Sequence, residues 1–225
     1  MRLKKSMRNM LYLSISLTIV FLIVKYFKSV NTIENFSTLD NLYNSNKIVA
    51  SVSIDHENIK LLDTIIDKIT KQEAKINEFC INIPDKLKEF VSIDENRFNK
   101  YENIKIHYLK RDFKKCNSLI PPYLREKNGK TIFVVFDNNI LKYLDDTKFI
   151  TKLLYQYSLE GENTIITTNY NKKDNENIKG TFISNINNFD TKLVELSNDC
   201  NELINPEKWY KSNIIKNIKL AKYKF

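Results

Sequence analysis

Hydrophobic positions along the chain fall into short strand-like runs and into longer runs with helical spacing, and the two kinds alternate. Residues 58–70 and 145–159 carry apolar residues three and four positions apart, which is typical of a helix that buries one face. Short runs rich in apolar and β-branched residues lie at 48–53, 76–83, 104–109, 132–136 and 163–168. This alternation predicts an α/β fold, with a mostly parallel central sheet and flanking helices.

The run Ile132–Phe136 is the most continuous of these strands. Its five residues show no polar alternation, which is typical of a strand buried on both faces of a parallel sheet. Asp137, Asn138 and Asn139 follow at once. Ligands of parallel α/β folds collect at the carboxyl ends of the strands, so this cluster is a candidate site. The alternative is that Asp and Asn simply begin the turn after the strand.

The N-terminal segment has the pattern of a signal anchor. Residues 10–24 are uncharged and mostly apolar, a basic segment precedes them, and no small-residue cleavage site follows. We expect a cytoplasmic segment at 1–9, a transmembrane anchor at 10–27, a polar stem without periodicity at 28–46, and a luminal domain at 47–225. This predicts a single-pass type II protein of an endomembrane such as the endoplasmic reticulum or Golgi, or of a host membrane if the source is viral. The alternatives are a buried core helix or a removed signal peptide.

The charge of the chain does not indicate a nucleic-acid partner. The formal net charge is +9, but six cations and no acid lie in the first 28 residues, which leaves +3 for the rest. The remaining charges are mixed in sign, and no arginine-rich stripe is interleaved with aromatic residues.

The three cysteines fit no metal-binding spacing, and none has a neighbouring histidine. Cys80 lies in a strand pattern and is expected to be buried, so Cys116 with Cys200 is the expected disulfide pair in an oxidising compartment. His56 and His107 are isolated along the chain. The sequence therefore predicts no ligand role for either histidine.

Three segments carry a resemblance to a known family. They are Ile-Asn-Ile-Pro84, the segment Asp112-Phe-Lys-Lys-Cys-Asn-Ser-Leu-Ile-Pro121, and the central strand with its Asp137-Asn-Asn ending. Their order over residues 47–215 resembles small nucleotide-sugar-dependent glycosyltransferases of the GT-A type, found in large DNA viruses and bacteria. The resemblance implies a Rossmann-like GT-A fold that transfers a sugar from a nucleotide-sugar donor to a glycan, lipid or protein acceptor.

The resemblance also implies a metal and donor site. The D-x-D motif of the family falls on Asp137, Asn138 and Asn139, so Asp137 and Asn139 would hold Mn²⁺ or Mg²⁺, and Asp137 with Asn138 would contact the donor. The last acid of the motif is replaced by an amide, which offers an oxygen but no charge. Lys114 and Lys115 stand where the family has Gly-Pro, and they would meet the diphosphate. The alternative is that both lysines are solvated surface residues.

On the acceptor side, the family often has a cysteine followed by paired acids. The matching segment here is 199–209, which has no such pair, and Glu202 or Glu207 would act as the general base. For Glu207 the alternative is a helix first turn after Pro206, where an acid is favoured electrostatically. Two functions follow: a membrane-anchored glycosyltransferase with a weakened site, or a non-catalytic binding or scaffolding module of the same fold.

Overall fold

The computed structural model describes residues 5–90, 101–126, 128–137, 140–168, 181–189 and 219–222. The chain divides into two compact units, Met1–Asn41 and Leu42–Phe225. For the helix expected from Pro206 onward, the part up to residue 218 lies outside the described residues, and Lys219–Lys222 form a strand instead of a helix.

Helix α1 spans Lys5–Ser45 without a break. The predicted stem is therefore helical over residues 28–45, and it continues the helix of the apolar segment before it. No glycine or proline occurs between residues 5 and 45, so nothing in this sequence interrupts the backbone hydrogen bonds. Within the described residues, no helix is long and apolar enough to cross a membrane. The apolar run of residues 10–24 is short and contains the hydroxyl residues Ser14, Ser16 and Thr18.

The second unit is built on one mixed sheet of seven described strands, in the order β3-β2-β1-β4-β6-β5-β7. Strands β3, β2, β1 and β4 pair in parallel with one another, β6 is antiparallel to both β4 and β5, and β7 is parallel to β5. The strands are β1 (Lys47–Ser53), β2 (Glu78–Pro84), β3 (Ile104–Leu109), β4 (Thr131–Val135), β5 (Thr164–Thr167), β6 (Phe182–Asn185) and β7 (Lys219–Lys222). The predicted α/β fold with a mostly parallel sheet is confirmed.

The centre of the sheet is the pair β1 and β4. Every residue of β4 is buried, as is every residue of β1 except Lys47. Since consecutive residues of β4 are buried, both faces of the strand are covered and its side chains must be apolar or small, which accounts for the uninterrupted run Ile132–Phe136. Strand β6 was not among the predicted elements. It is four residues long, and its antiparallel pairing makes the sheet mixed.

The described residues of the same unit form four α-helices: α2 (Leu62–Ile69), α3 (Ile120–Arg125), α4 (Ile140–Leu144) and α5 (Phe149–Glu160). Helix α2 buries Leu62, Ile65, Ile66 and Ile69, the one-face spacing that the sequence predicts. Helix α5 begins four residues later than predicted, at Phe149. It ends before Gly161, whose positive φ of 90° is unfavourable for a residue with a side chain.

Burial along α5 gives a direct test of the core. Leu154 is fully buried while Leu159 is 62% exposed in the same helix. We expect Leu154→Ala to lower the free energy of unfolding by about 2–5 kcal/mol, because it removes buried contacts and leaves a cavity. Leu159→Ala is the matched control and should change it by less than about 0.5 kcal/mol. Urea unfolding of both variants measures the difference, and equal effects would contradict this packing.

Candidate functional site

The carboxyl ends of β1 and β4 form the candidate site. Strand β2, which follows β1 in the chain, is the neighbour of β1 on one side, and β4 is its neighbour on the other side. The strand order therefore reverses between β1 and β4, and such a switch point opens a crevice at the carboxyl ends of the two strands. Asp137 follows β4 by two residues and is half-buried at this edge.

Two further oxygen-bearing side chains lie near Asp137. The Thr168 hydroxyl, just after β5, donates a hydrogen bond to Tyr143 Oη at 3.1 Å. Burial raises the pKa of Tyr143, the bond from Thr168 works against that rise, and the negative charge of Asp137 adds to it. The phenol is therefore protonated at neutral pH. The edge holds a carboxylate beside a group able to donate a hydrogen bond, which suits a polar ligand.

The loop after β1 is closed by its own side chains. Asp55 Oδ1 accepts the backbone N–H groups of Glu57 and Asn58, at 3.0 and 3.1 Å. Asn58 in turn accepts the N–H of Asp55 at 2.7 Å and donates to the Ser53 carbonyl at 3.3 Å. Loops at this position bind phosphates through free backbone N–H groups. Here an internal carboxylate occupies two of them.

The segment that follows β3 is organised in the same way around Asp112. Its carboxylate accepts the Lys114 backbone N–H at 2.8 Å and the Asn117 amide at 2.9 Å, and it pairs with Lys86 Nζ at 2.5 Å. Asn117 also accepts the Phe113 backbone N–H at 2.7 Å. These bonds hold a short 3₁₀ helix, Lys114–Ser118, which packs against β1 and β2.

The predicted site residues fall partly within the described chain. Lys114 is exposed, and its backbone has a φ of 52°, which is uncommon for a residue with a side chain. Its conformation is the one that glycine adopts readily, consistent with the Gly-Pro of the resembling family. The side chain of Lys115 and the residues Asn138, Asn139, Glu202 and Glu207 lie outside the described residues, so their predicted roles stay predictions.

The cysteines divide into a free thiol and a bonded one. Cys116 is buried and disulfide-bonded, and Cys80 is a buried free thiol. Cys200, the predicted partner of Cys116, lies outside the described residues.

A second polar cluster lies on β2 and β3, where the sequence predicted no ligands. Glu78, Cys80 and His107 bring one ligand atom each within 4.8 Å of one another. Alternation along a strand was the available signal, since residues 78 and 80 share a face of β2. That signal was incomplete, because only the pairing of β2 with β3 brings His107 to them.

Asp112 should make stability depend on pH. Burial tends to raise the pKa of Asp112, but the bonds from Lys86, Asn117 and the Lys114 backbone outweigh it and lower the pKa. The stabilisation is therefore complete above the unfolded pKa of about 3.9 and is lost as pH falls through the lower folded pKa. We expect Asp112→Asn to lower the urea midpoint at pH 7, and to lower it progressively less as pH falls below about 3.9. Lys86→Met should cause a smaller shift, and a pH-independent effect of Asp112→Asn would contradict this account.

The cysteine arrangement predicts a thiol count. The chain has three cysteines, so alkylation under denaturing, non-reducing conditions should label Cys80 alone. Non-reducing peptide mapping should then find Cys116 linked to Cys200. Two or more labelled thiols per chain would contradict the disulfide at Cys116.

Comparison with known proteins bears on the fold alone. No protein-family model and no curated protein matches the sequence. Among solved structures, the chain is similar to the 4-diphosphocytidyl-2C-methyl-D-erythritol synthase of Anaerococcus prevotii DSM 20548, with a TM-score of 0.53 and 11% identity. The match covers 82% of this chain and 90% of that one. The chain therefore shares the α/β fold of that enzyme.

Proposed function

We propose that the protein is a transferase that binds a nucleotide-type donor at the carboxyl ends of β1 and β4. In the finer form of this proposal the donor is a nucleotide sugar, and the sugar passes to a glycan, lipid or protein acceptor. The observation that carries it is the position of Asp137 at the switch point of a sheet whose fold is that of a diphosphocytidyl synthase. Fold alone supports the donor class, and the side chains at the strand ends must supply the chemistry.

The described residues at this edge fit a hard divalent cation. Asp137 offers a carboxylate, and Tyr143 and Thr168 add neutral oxygens nearby. Oxygen ligands are those that Mg²⁺ and Mn²⁺ prefer, and a site with a single firm carboxylate takes the remaining ligands from water and from substrate phosphates. A bound cation would neutralise charge on the diphosphate leaving group. Metal and nucleotide are then expected to bind together, and each poorly alone.

Calorimetry on the full chain tests the donor site. Titration with UDP-, GDP- and CDP-linked sugars and with the free nucleoside triphosphates, each with and without Mn²⁺, separates sugar donors from nucleotidyl donors. Asn139→Asp should strengthen Mn²⁺-dependent binding by at least about tenfold, roughly 1.4 kcal/mol, because it restores an anionic ligand. Asp137→Asn should abolish binding, and Asp63→Asn on α2 is the matched control. Absence of binding in both the parent and Asn139→Asp would overturn the transferase proposal.

The second candidate function is a non-catalytic binding or scaffolding module, and the loop after β1 favours it. The Asp55 carboxylate already occupies the N–H groups of Glu57 and Asn58, and its charge repels phosphate. A ligand without phosphates would meet neither obstacle. The protein would then keep the fold but would no longer bind a phosphate-containing donor at this site.

Asp55→Asn distinguishes the two functions. The substitution keeps a side-chain oxygen to accept the two N–H groups but removes a negative charge from the site. If a donor diphosphate lies against this loop, its affinity should rise about fivefold, since removing a charge at close range in a solvated site is worth about 1 kcal/mol. Calorimetry with the donor that the parent binds measures the change. An unchanged or weaker affinity would mean that phosphates do not approach Asp55, and would favour the non-catalytic module.

A further inference from the structure

The cluster of Glu78, Cys80 and His107 lies away from the proposed donor site. The cluster lies on β2 and β3 rather than on β1 and β4, and Cys80 stands four residues before Pro84, the last residue of β2, which is about 13 Å from the carboxyl edge at roughly 3.3 Å per residue. The proposed donor site therefore does not explain why these three residues lie together. We propose that these three residues form a binding site for a zinc ion.

The geometry already suits a small cation. Cys80 Sγ lies 3.1 Å from Glu78 Oε1, and His107 Nε2 lies 3.9 Å from the same oxygen. All three ligand atoms lie within 4.8 Å of one another. Zinc bonds of about 2.0–2.3 Å in a tetrahedron separate ligand atoms by a little under 4 Å, so small side-chain movements complete the site.

His107 supplies the independent observation. Its Nε2 atom is fully buried and has no hydrogen-bond partner in the described part of the chain. Burying such an atom without a partner costs free energy, and a metal bond removes that cost. Neutral imidazole is a common metal ligand, and its Nε2 atom offers the lone pair.

Glu78 is oriented for the same purpose by a chain of ion pairs. Its Oε1 faces Cys80 and His107, while its Oε2 pairs with Lys47 Nζ at 3.3 Å. Lys47 is held in turn by Glu126 at 2.6 Å. Outer partners of this kind fix the direction of a ligating carboxylate and leave one oxygen for the metal.

The donor set selects the metal. Sulfur, imidazole nitrogen and one carboxylate oxygen suit Zn²⁺, whereas Mg²⁺ and Mn²⁺ prefer oxygen alone. Three protein ligands leave a fourth position for water. On binding, the Cys80 S–H bond breaks, a zinc–sulfur bond forms and one proton passes to solvent. The charges of the thiolate and the carboxylate then balance the two positive charges of the ion.

Titration of the full chain with Co²⁺, a spectroscopic substitute for Zn²⁺, tests the site without reference to activity. Under non-reducing conditions we expect one equivalent to give the thiolate-to-cobalt charge-transfer absorption, and Zn²⁺ to displace it. Cys80→Ala should remove the absorption. His107→Gln should weaken binding at least about tenfold, as loss of a ligand does, while His56→Gln, at the other histidine of the chain, should match the parent.

Circular dichroism establishes that each variant is folded. Since the His107 side chain is 28% exposed, His107→Gln stays informative even if Cys80→Ala does not fold. The proposal is overturned if Co²⁺ gives no charge-transfer absorption with the parent, or if folded His107→Gln binds as tightly as His56→Gln.

Discussion

The parallel pairing of β1 with β4 is the constraint on which the rest of the second unit depends. The backbone bonds continue beyond both strands, from Lys47 N–H to the Lys130 carbonyl at 3.1 Å and from Phe136 N–H to the Ser51 carbonyl at 2.8 Å. The second of these bonds ties the chain to β1 one residue before Asp137. Because each ladder bond contributes about 1 kcal/mol and both strands are fully packed, the strand ends have little freedom to move apart. The switch point therefore presents Asp137 from a rigid edge, as a binding site requires.

Two loops that border the sheet are stabilised by aspartate carboxylates within them. Asp55 and Asp112 each accept at least one backbone N–H group of a loop that borders the sheet. Such bonds replace those that a phosphate would make with the same amides, so they stabilise the loop without a ligand and oppose an anionic one. The proposal of a nucleotide-type donor rests on the fold, whereas the carboxylates in these loops disfavour phosphate, and the charge of Asp55 is the feature that separates the two proposed functions.

Much of the fold was predictable because burial on both faces leaves a local mark. Strand β4 appears in the sequence as an uninterrupted apolar run, β1 as a short β-rich run, and α2 as apolar residues spaced along one face, without knowledge of any partner element. Asp137 was found by the same logic, since it follows the most continuous run. Strand β6 escaped notice because its Phe-Ile-Ser-Asn sequence is short and gains its structure from antiparallel pairing with the distant strand β4.

The Glu78 cluster shows why ligand sites built across strands are hidden from sequence patterns. Spacing within β2 places Cys80 beside Glu78, but His107 joins them only through the register that sets Asn82 opposite His107. The charges around the cluster also determine whether Cys80 is protonated. Burial and the Glu78 carboxylate raise the pKa of Cys80 to about 12, so without a metal the thiol keeps its proton and donates a hydrogen bond to Glu78 Oε1.

A bound cation favours the deprotonated form of Cys80 instead, because the cation pairs with the thiolate of Cys80 and the carboxylate of Glu78 together. Arg125 opposes it, since its positive charge already acts on both Cys80 and His107. The ion pair of Lys47 with Glu126 has no net charge, so it orients Glu78 without changing the electrostatic preference of the site for a cation. The described residues give the buried Nε2 of His107 no hydrogen-bond partner, so a metal bond to this atom lowers the free energy. The ion binds if this gain in free energy exceeds the cost of its electrostatic repulsion by Arg125.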